Sequence, residues 1–141
     1  MTVEAELFMP NSVEGLNRLM EEATSFLESR GLPEGILYKA HLVLEEVLTN
    51  IIKYAFDDQD RHTIRVRLVL SPGELGLEFE DDGREFNPLA LPPPQISGSI
   101  EQAQVGGLGV HLVRQSVDSV EYRRLSSGNV LTTRFQLVTK Q

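Results

Sequence analysis

The chain contains no cysteine in 141 residues, which excludes disulfides and thiolate zinc sites and fits a cytoplasmic setting. Basic residues are scarce. Thirteen Lys and Arg stand against 21 Asp and Glu, leaving a formal net charge of −8. Binding to nucleic acid through counterion release needs the opposite sign, so no nucleic-acid partner is expected; a basic protein partner stays open. Long apolar runs are missing too. Nothing approaches the roughly 18 residues that read as a membrane span, and MTVEAELFMP at the start lacks the basic segment and apolar run of a signal peptide. No internal repeat is visible. The three histidines, His41, His62 and His111, fall in different elements, and their spacing offers no metal site.

What remains is an ordinary globular composition, 40% apolar and 24% charged, long enough for one domain over residues 1–141 with one core. Residues 3–9 alternate weakly as a first strand. Asn11 with Glu14 resembles a capping box. Behind it Leu16, Leu19, Met20, Ala23, Phe26 and Leu27 recur at helical spacing up to Gly31. Pro33 opens a second helix reaching about Ala55. HTIRVRLVL (62–70) and LGLEFED (75–81) read as a hairpin around SPGE. Asp82 to Val105 is turn-rich, with three consecutive prolines, and loops of that length are commonly functional. Residues 106–118 form a glycine-rich turn into a short helix; SVEYRRL (119–125), the turn SSGN and VLTTRFQLV (130–138) complete the chain. This order predicts an α/β two-layer sandwich: a mixed, mostly antiparallel sheet with helices on one face.

Three stretches carry chemistry. In LEEVLTNIIKYAF (44–56), Asn50 interrupts a core-like run although Asn is a mediocre helix former. On a wheel of about 100° per residue, Ala40, Val43, Leu44, Val47, Leu48, Ile51 and Ala55 gather on one face. Glu46 and Asn50 fall off it, one turn apart. A carboxylate beside an amide oxygen suits Mg²⁺, which takes few protein oxygens and leaves the rest to water and phosphate; a solvated helix flank reads the same way. In FEDDGREFNP (79–88), a strand ends in acids and meets Gly83. Asp81 there can accept from an exocyclic amine such as that of adenine, with Gly83 allowing close backbone approach to a flat ring. A plain turn is the alternative. In QVGGLGVHLVRQ (104–115), Gly106, Gly107 and Gly109 lead into a helix whose N–H groups favour phosphate, or act as a hinge and cap.

Together and in this order the three stretches resemble the motifs of the GHKL ATPase superfamily, which includes gyrase, Hsp90, histidine kinases and MutL. Glu46-x-x-x-Asn50 resembles the N box. Asp81-x-Gly83 with Phe86 resembles the first glycine box, and Gly106-Gly107-Leu108-Gly109 the second. Gly128 to Thr132 is similar to the last. The compact spacing, with no histidine-bearing dimerisation domain ahead of it, resembles the bacterial anti-sigma-factor serine kinases. The resemblance implies the Bergerat ATP-binding fold, with ATP and Mg²⁺ as cofactors. Asn50 would bind Mg²⁺, and Glu46 would be the general base. Asp81 would meet the adenine amine above Gly83, with Phe86 beside it. Gly107 and Gly109 would meet the phosphates, with Gly106 and Leu108 in the same ATP-binding turn, and Thr132 would sit behind the adenine, under a lid of about residues 88–106. It also implies phosphorylation of a STAS-type antagonist, sequestration of a sigma factor, and a homodimer; a nucleotide-binding partner switch with little or no kinase activity is the other reading. Two positions depart from the pattern. Tyr54-Ala55-Phe56 stands where relatives often carry His-Ala/Gly-aromatic, and Glu85 stands where many carry a second glycine. Lys53, Arg84 and Arg114 are the nearby cations.

Overall fold

The computed structural model describes residues 1–90 and 107–137. Five strands and three helices are defined there: β1 (Val3–Pro10), α1 (Val13–Glu28), α2 (Glu34–Tyr54), β2 (Thr63–Ser71), β3 (Glu74–Asp81), α3 (Gly107–Ser116), β4 (Ser119–Leu125) and β5 (Gly128–Gln136). The sheet runs β1-β2-β3-β5-β4. All four pairings among the described residues are antiparallel, so the mixed, mostly antiparallel sheet expected has no parallel pair among its described strands. The connections explain this. The tight hairpin turns each reverse the chain, and the two long crossings carry helices over one face without making any parallel neighbours.

Strand parity sorts the residues. β3 sends Leu75, Leu77, Phe79 and finally Asp81 to one face; β5 opposes them with Phe135, Thr133, Leu131 and Asn129. The helices lie on that face, α2 touching β3 with α1 on one flank and α3 on the other. Leu44, Leu48 and Ile51 of α2 and Leu68, Leu77, Phe79 and Phe135 of the sheet are fully buried, each worth about 1.5–3 kcal/mol of transfer free energy. The inward face of β3 is thus apolar until its last position, where a carboxylate replaces a hydrocarbon. The other face is open and charged. No described helix is long and apolar enough to cross a membrane.

The start of α1 differs from the expected capping box. Ser12 is the cap, its hydroxyl accepting from the Gly15 amide at 3.1 Å. Asn11 instead accepts from the His62 amide at 3.0 Å, tying the end of β1 to the start of β2. Both side chains are good caps, and a partner 51 residues away in sequence decides between them.

Candidate functional site

The helical wheel puts Asn50 outside the core face, but the structure buries it, with 2% of its surface exposed. The chain after β3 folds back across that flank of α2, and Pro88 and Leu89 close over it. The Asn50 amide nitrogen donates to the Pro88 carbonyl at 3.0 Å and to Glu46 Oε2 at 3.2 Å. Both partners can only accept, so the NH₂ must face them. The Asn50 carbonyl oxygen then has no hydrogen-bond partner among the described residues. It is a hard oxygen donor held in place by its own amide.

Glu46 lies one turn before it. Burial is the main influence on its carboxyl and pushes it above the usual carboxylate range, partly opposed by the Asn50 hydrogen bond and the Lys53 charge. A carboxylate displaced that way is a stronger base. The first turn of α3 runs directly against it: a Cβ on Gly109 would overlap the Glu46 carboxylate. Glycine at 109 therefore lets backbone and carboxylate meet. Gly107 starts α3, and the side-chain surroundings of Gly107 and Leu108 are outside the description. Gly106 and the lid residues 91–106 lie outside the described residues.

The second half of the site is the end of β3. Asp81 is 4% exposed. Its Oδ1 accepts from the Gly83 amide at 2.8 Å and from Asn129 Nδ2 at 2.9 Å, while Oδ2 has no partner among the described residues. Burial dominates here too and raises the carboxyl above the ordinary Asp range, with the two hydrogen bonds opposing. Gly83 packs on the C-terminus of α2. A Cβ there would overlap the Ala55 carbonyl oxygen, to which the Arg84 amide donates at 2.8 Å. The glycine is thus required by the helix end beneath it. Phe86 packs tilted against Tyr54, ring centroids 5.8 Å apart, and its amide donates to Asn129 Oδ1 at 3.1 Å.

Two residues alter the sequence expectation. Thr132 points to the open face, paired across from Glu78 and Glu121, so it cannot stand behind a base lying over Asp81. Its neighbour Thr133 points inward, fully buried, and its hydroxyl has no hydrogen-bond partner among the described residues. The signal in the sequence is parity within β5, where Leu131, Thr133 and Phe135 alternate with Thr132 and Arg134. Asn129, which falls in the SSGN turn and in the Gly128–Thr132 stretch without a role of its own, is buried beside Asp81. Arg84 and Arg114 are occupied elsewhere. Arg84 pairs with Asp57 at 3.4 Å, and Arg114 donates twice to the Leu89 carbonyl, at 3.0 and 2.5 Å.

The fit to a magnesium nucleotide follows from these atoms. Among the described residues the Asn50 carbonyl and Asp81 Oδ2 have no hydrogen-bond partner, and the backbone at Gly109 approaches Glu46. A family model described as a histidine kinase-like ATPase domain matches residues 9–135. The serine/threonine-protein kinase BtrW of Bordetella bronchiseptica is 31% identical over 91 residues, 64% of this chain and 64% of that protein. The serine-protein kinase RsbW of Listeria monocytogenes is 24% identical over 98 residues, 67% of this chain and 62% of that protein. The chain therefore spans less than two thirds of the length of these curated relatives. The crystal structure of the RsbU and RsbW domains of Rv1364c from Mycobacterium tuberculosis superposes with a TM-score of 0.64 at 11% identity, covering 96% of this chain and 32% of that one; this is a likeness of fold. The chain belongs to the histidine kinase-like (GHKL) ATPase family, in the branch with the serine-protein kinases BtrW and RsbW.

Proposed function

We propose that the protein is an ATP-dependent serine protein kinase that acts as an anti-sigma regulatory factor. The observation that carries this reading is the meeting of Glu46 and Gly109. It brings a raised-pKa carboxylate to the helix start where phosphates would sit. From Glu46 to Ala55, α2 rises about 13 Å at about 1.5 Å per residue. That span suits a nucleoside triphosphate with its base at the Ala55–Gly83–Asp81 end and its terminal phosphate at the Glu46–Gly109 end.

Bound Mg²⁺·ATP supplies the γ-phosphoryl group and much of the charge neutralisation that such transfers need. Asn50 offers its carbonyl oxygen to the metal, and its amide keeps that oxygen aimed. Glu46 accepts the proton of the attacking serine hydroxyl as the new P–O bond forms and ADP leaves. Asp81 Oδ2 accepts from the adenine amine; Thr133, paired with Leu77 and fully buried, lies away from that end of the strand and takes no part in holding the base. By the family resemblance the acceptor is a serine on a STAS-type antagonist, the alternative partner is a sigma factor, and the working form is a homodimer. The test is transfer of labelled phosphate from ATP to a STAS protein of the same organism, with Glu46→Gln as the control. Label on the wild-type reaction alone supports the reading. A wild type that binds ATP but labels no serine in any such protein contradicts it.

One observation favours a binding module with little kinase activity. Among the described residues, Arg114 donates to the Leu89 carbonyl and Arg84 pairs with the exposed Asp57, which leaves Lys53, whose charge acts on Glu46, as the one nearby cation without such a contact. In that case ATP would act by ordering the lid as a switch.

A further inference from the structure

Asn129 is 1% exposed and uses every hydrogen-bonding position it has. One amide hydrogen goes to Asp81 Oδ1 at 2.9 Å, the other to the Arg84 carbonyl at 2.8 Å. Its oxygen accepts from the Phe86 amide at 3.1 Å, the Tyr122 hydroxyl at 2.5 Å and Arg124 Nη1 at 3.3 Å. Since the oxygen's three partners are donors and the nitrogen's two are acceptors, the amide has one possible orientation. β4, β5, the end of β3 and the 82–87 loop all meet on this one side chain. Arg124 extends the same network by donating to the Gly83 carbonyl at 2.9 Å.

The consequence falls on Asp81. With Oδ1 held by two donors, the carboxylate cannot turn, and Oδ2 is the oxygen left for a ligand. We propose that Asn129 is a positioning residue for base selection: by holding Asp81 Oδ1 so that Oδ2 is the acceptor left for a ligand, it makes the site accept a 6-amino purine and reject a 6-oxo purine. The inference rests on the nucleotide reading above. An adenine amine donates to a fixed carboxylate oxygen; the carbonyl of hypoxanthine or guanine meets it acceptor to acceptor. With the Asn129 donor removed, Oδ1 keeps only the Gly83 amide, and the buried carboxyl turns more readily, or takes a proton and donates to that carbonyl. Discrimination then fails before the fold does.

The experiment compares Mg²⁺·ATP with Mg²⁺·ITP, which differ at the purine 6-position and the adjoining ring nitrogen, by calorimetric titration of the full chain. The wild type is expected to favour ATP by about 100-fold or more, as sites built around a purine-edge hydrogen bond do. Asn129→Ala is expected to reduce that ratio by about tenfold or more. Asn129→Asp keeps the shape and the acceptor oxygen but places two carboxyls together, which then share a proton; the ratio should fall similarly, with ITP binding strengthened. Tyr122→Phe keeps both amide donors. It should lower Tm yet hold the ratio within about twofold, separating base selection from stability. Should Asn129→Ala fail to fold, the near-isosteric Asn129→Asp decides. Folded Asn129 variants with the wild-type ratio overturn the role of Asn129 alone. A wild type that binds neither nucleotide overturns the nucleotide site itself, and this inference with it.

Discussion

The two faces of the sheet both carry polar side chains, and they use them in opposite ways. On the open face, Arg67 pairs with Glu78 at 2.8 Å and Glu4 at 3.2 Å; Arg65 with Glu80 at 2.7 Å and also Glu6; Arg134 with Glu74 at 3.3 Å. Each charge is answered by a neighbour on the next strand. On the helix-covered face the polar residues are few and buried: Asn50, Asp81, Asn129 and Thr133. Three of them leave one oxygen each without a partner among the described residues. Solvated charges that answer one another hold strands in register. Buried polar atoms are costly unless satisfied, so the unused oxygens of Asn50 and Asp81 mark a place for a ligand, while the Thr133 hydroxyl is sealed in the core. Asn129 is the exception that sharpens this rule: it is fully satisfied, and its work is to fix Asp81.

The largest effect should come from filling the inner face. Gly83→Ala pushes a methyl into the Ala55 carbonyl, a backbone atom that cannot step aside. Overpacking of this kind costs about 1–3 kcal/mol or more; denaturant unfolding should show it, together with loss of ATP binding. Gly109→Ala makes the opposite trade. The obstacle is the end of the flexible Glu46 side chain, so unfolding should change little while phosphotransfer falls sharply.

Next comes the base itself. Glu46→Gln should lower the phosphotransfer rate by about 10²–10⁴-fold, with ATP affinity within a few-fold of wild type. Single-turnover labelling and calorimetry read the two quantities separately.

Asp81→Asn should move stability and binding in opposite directions. The Asp81 carboxyl is raised in the folded protein, chiefly by burial. Its contribution to stability is therefore complete below its unfolded pKa and is lost as pH rises through the folded value. At neutral pH the ionised side chain costs stability. The asparagine variant, free of that cost, should have an apo Tm at least equal to wild type at pH 7, with its advantage shrinking as the wild-type carboxyl protonates in the acidic range. A Tm difference between the two that does not vary with pH would contradict this.

The smallest effect belongs to the open face. Arg67→Met should cost no more than about 1 kcal/mol, as exposed ion pairs do. The loss should be smaller still at high salt, where screening weakens the wild-type pair, and ATP binding should be untouched.

Much of this arrangement was legible in the chain. SVEYRRL marked β4 to the residue, and the apolar spacing of 36–55 marked α2, because local periodicity is set by what one element buries. The positions that misled were decided by other segments. Asn50 lay off the wheel's core face because a wheel shows direction and not what packs there; the covering residues, Pro88 and Leu89, come from beyond β3. Asn129 reads as a turn residue because its partners come from three other stretches of chain: the end of β3, the 82–87 loop and β4. Thr132 was placed by its position after the last glycine, where a one-residue slip on a strand reverses the face.

The central claim is that the unused oxygens of Asn50 and Asp81 belong to a magnesium nucleotide. Calorimetric titration of wild type and Asp81→Asn with ATP in the presence of Mg²⁺ tests it most directly. The account predicts saturable binding by the wild type and its collapse in a variant that stays folded. Equal binding by both proteins, or no binding by the wild type, would contradict it.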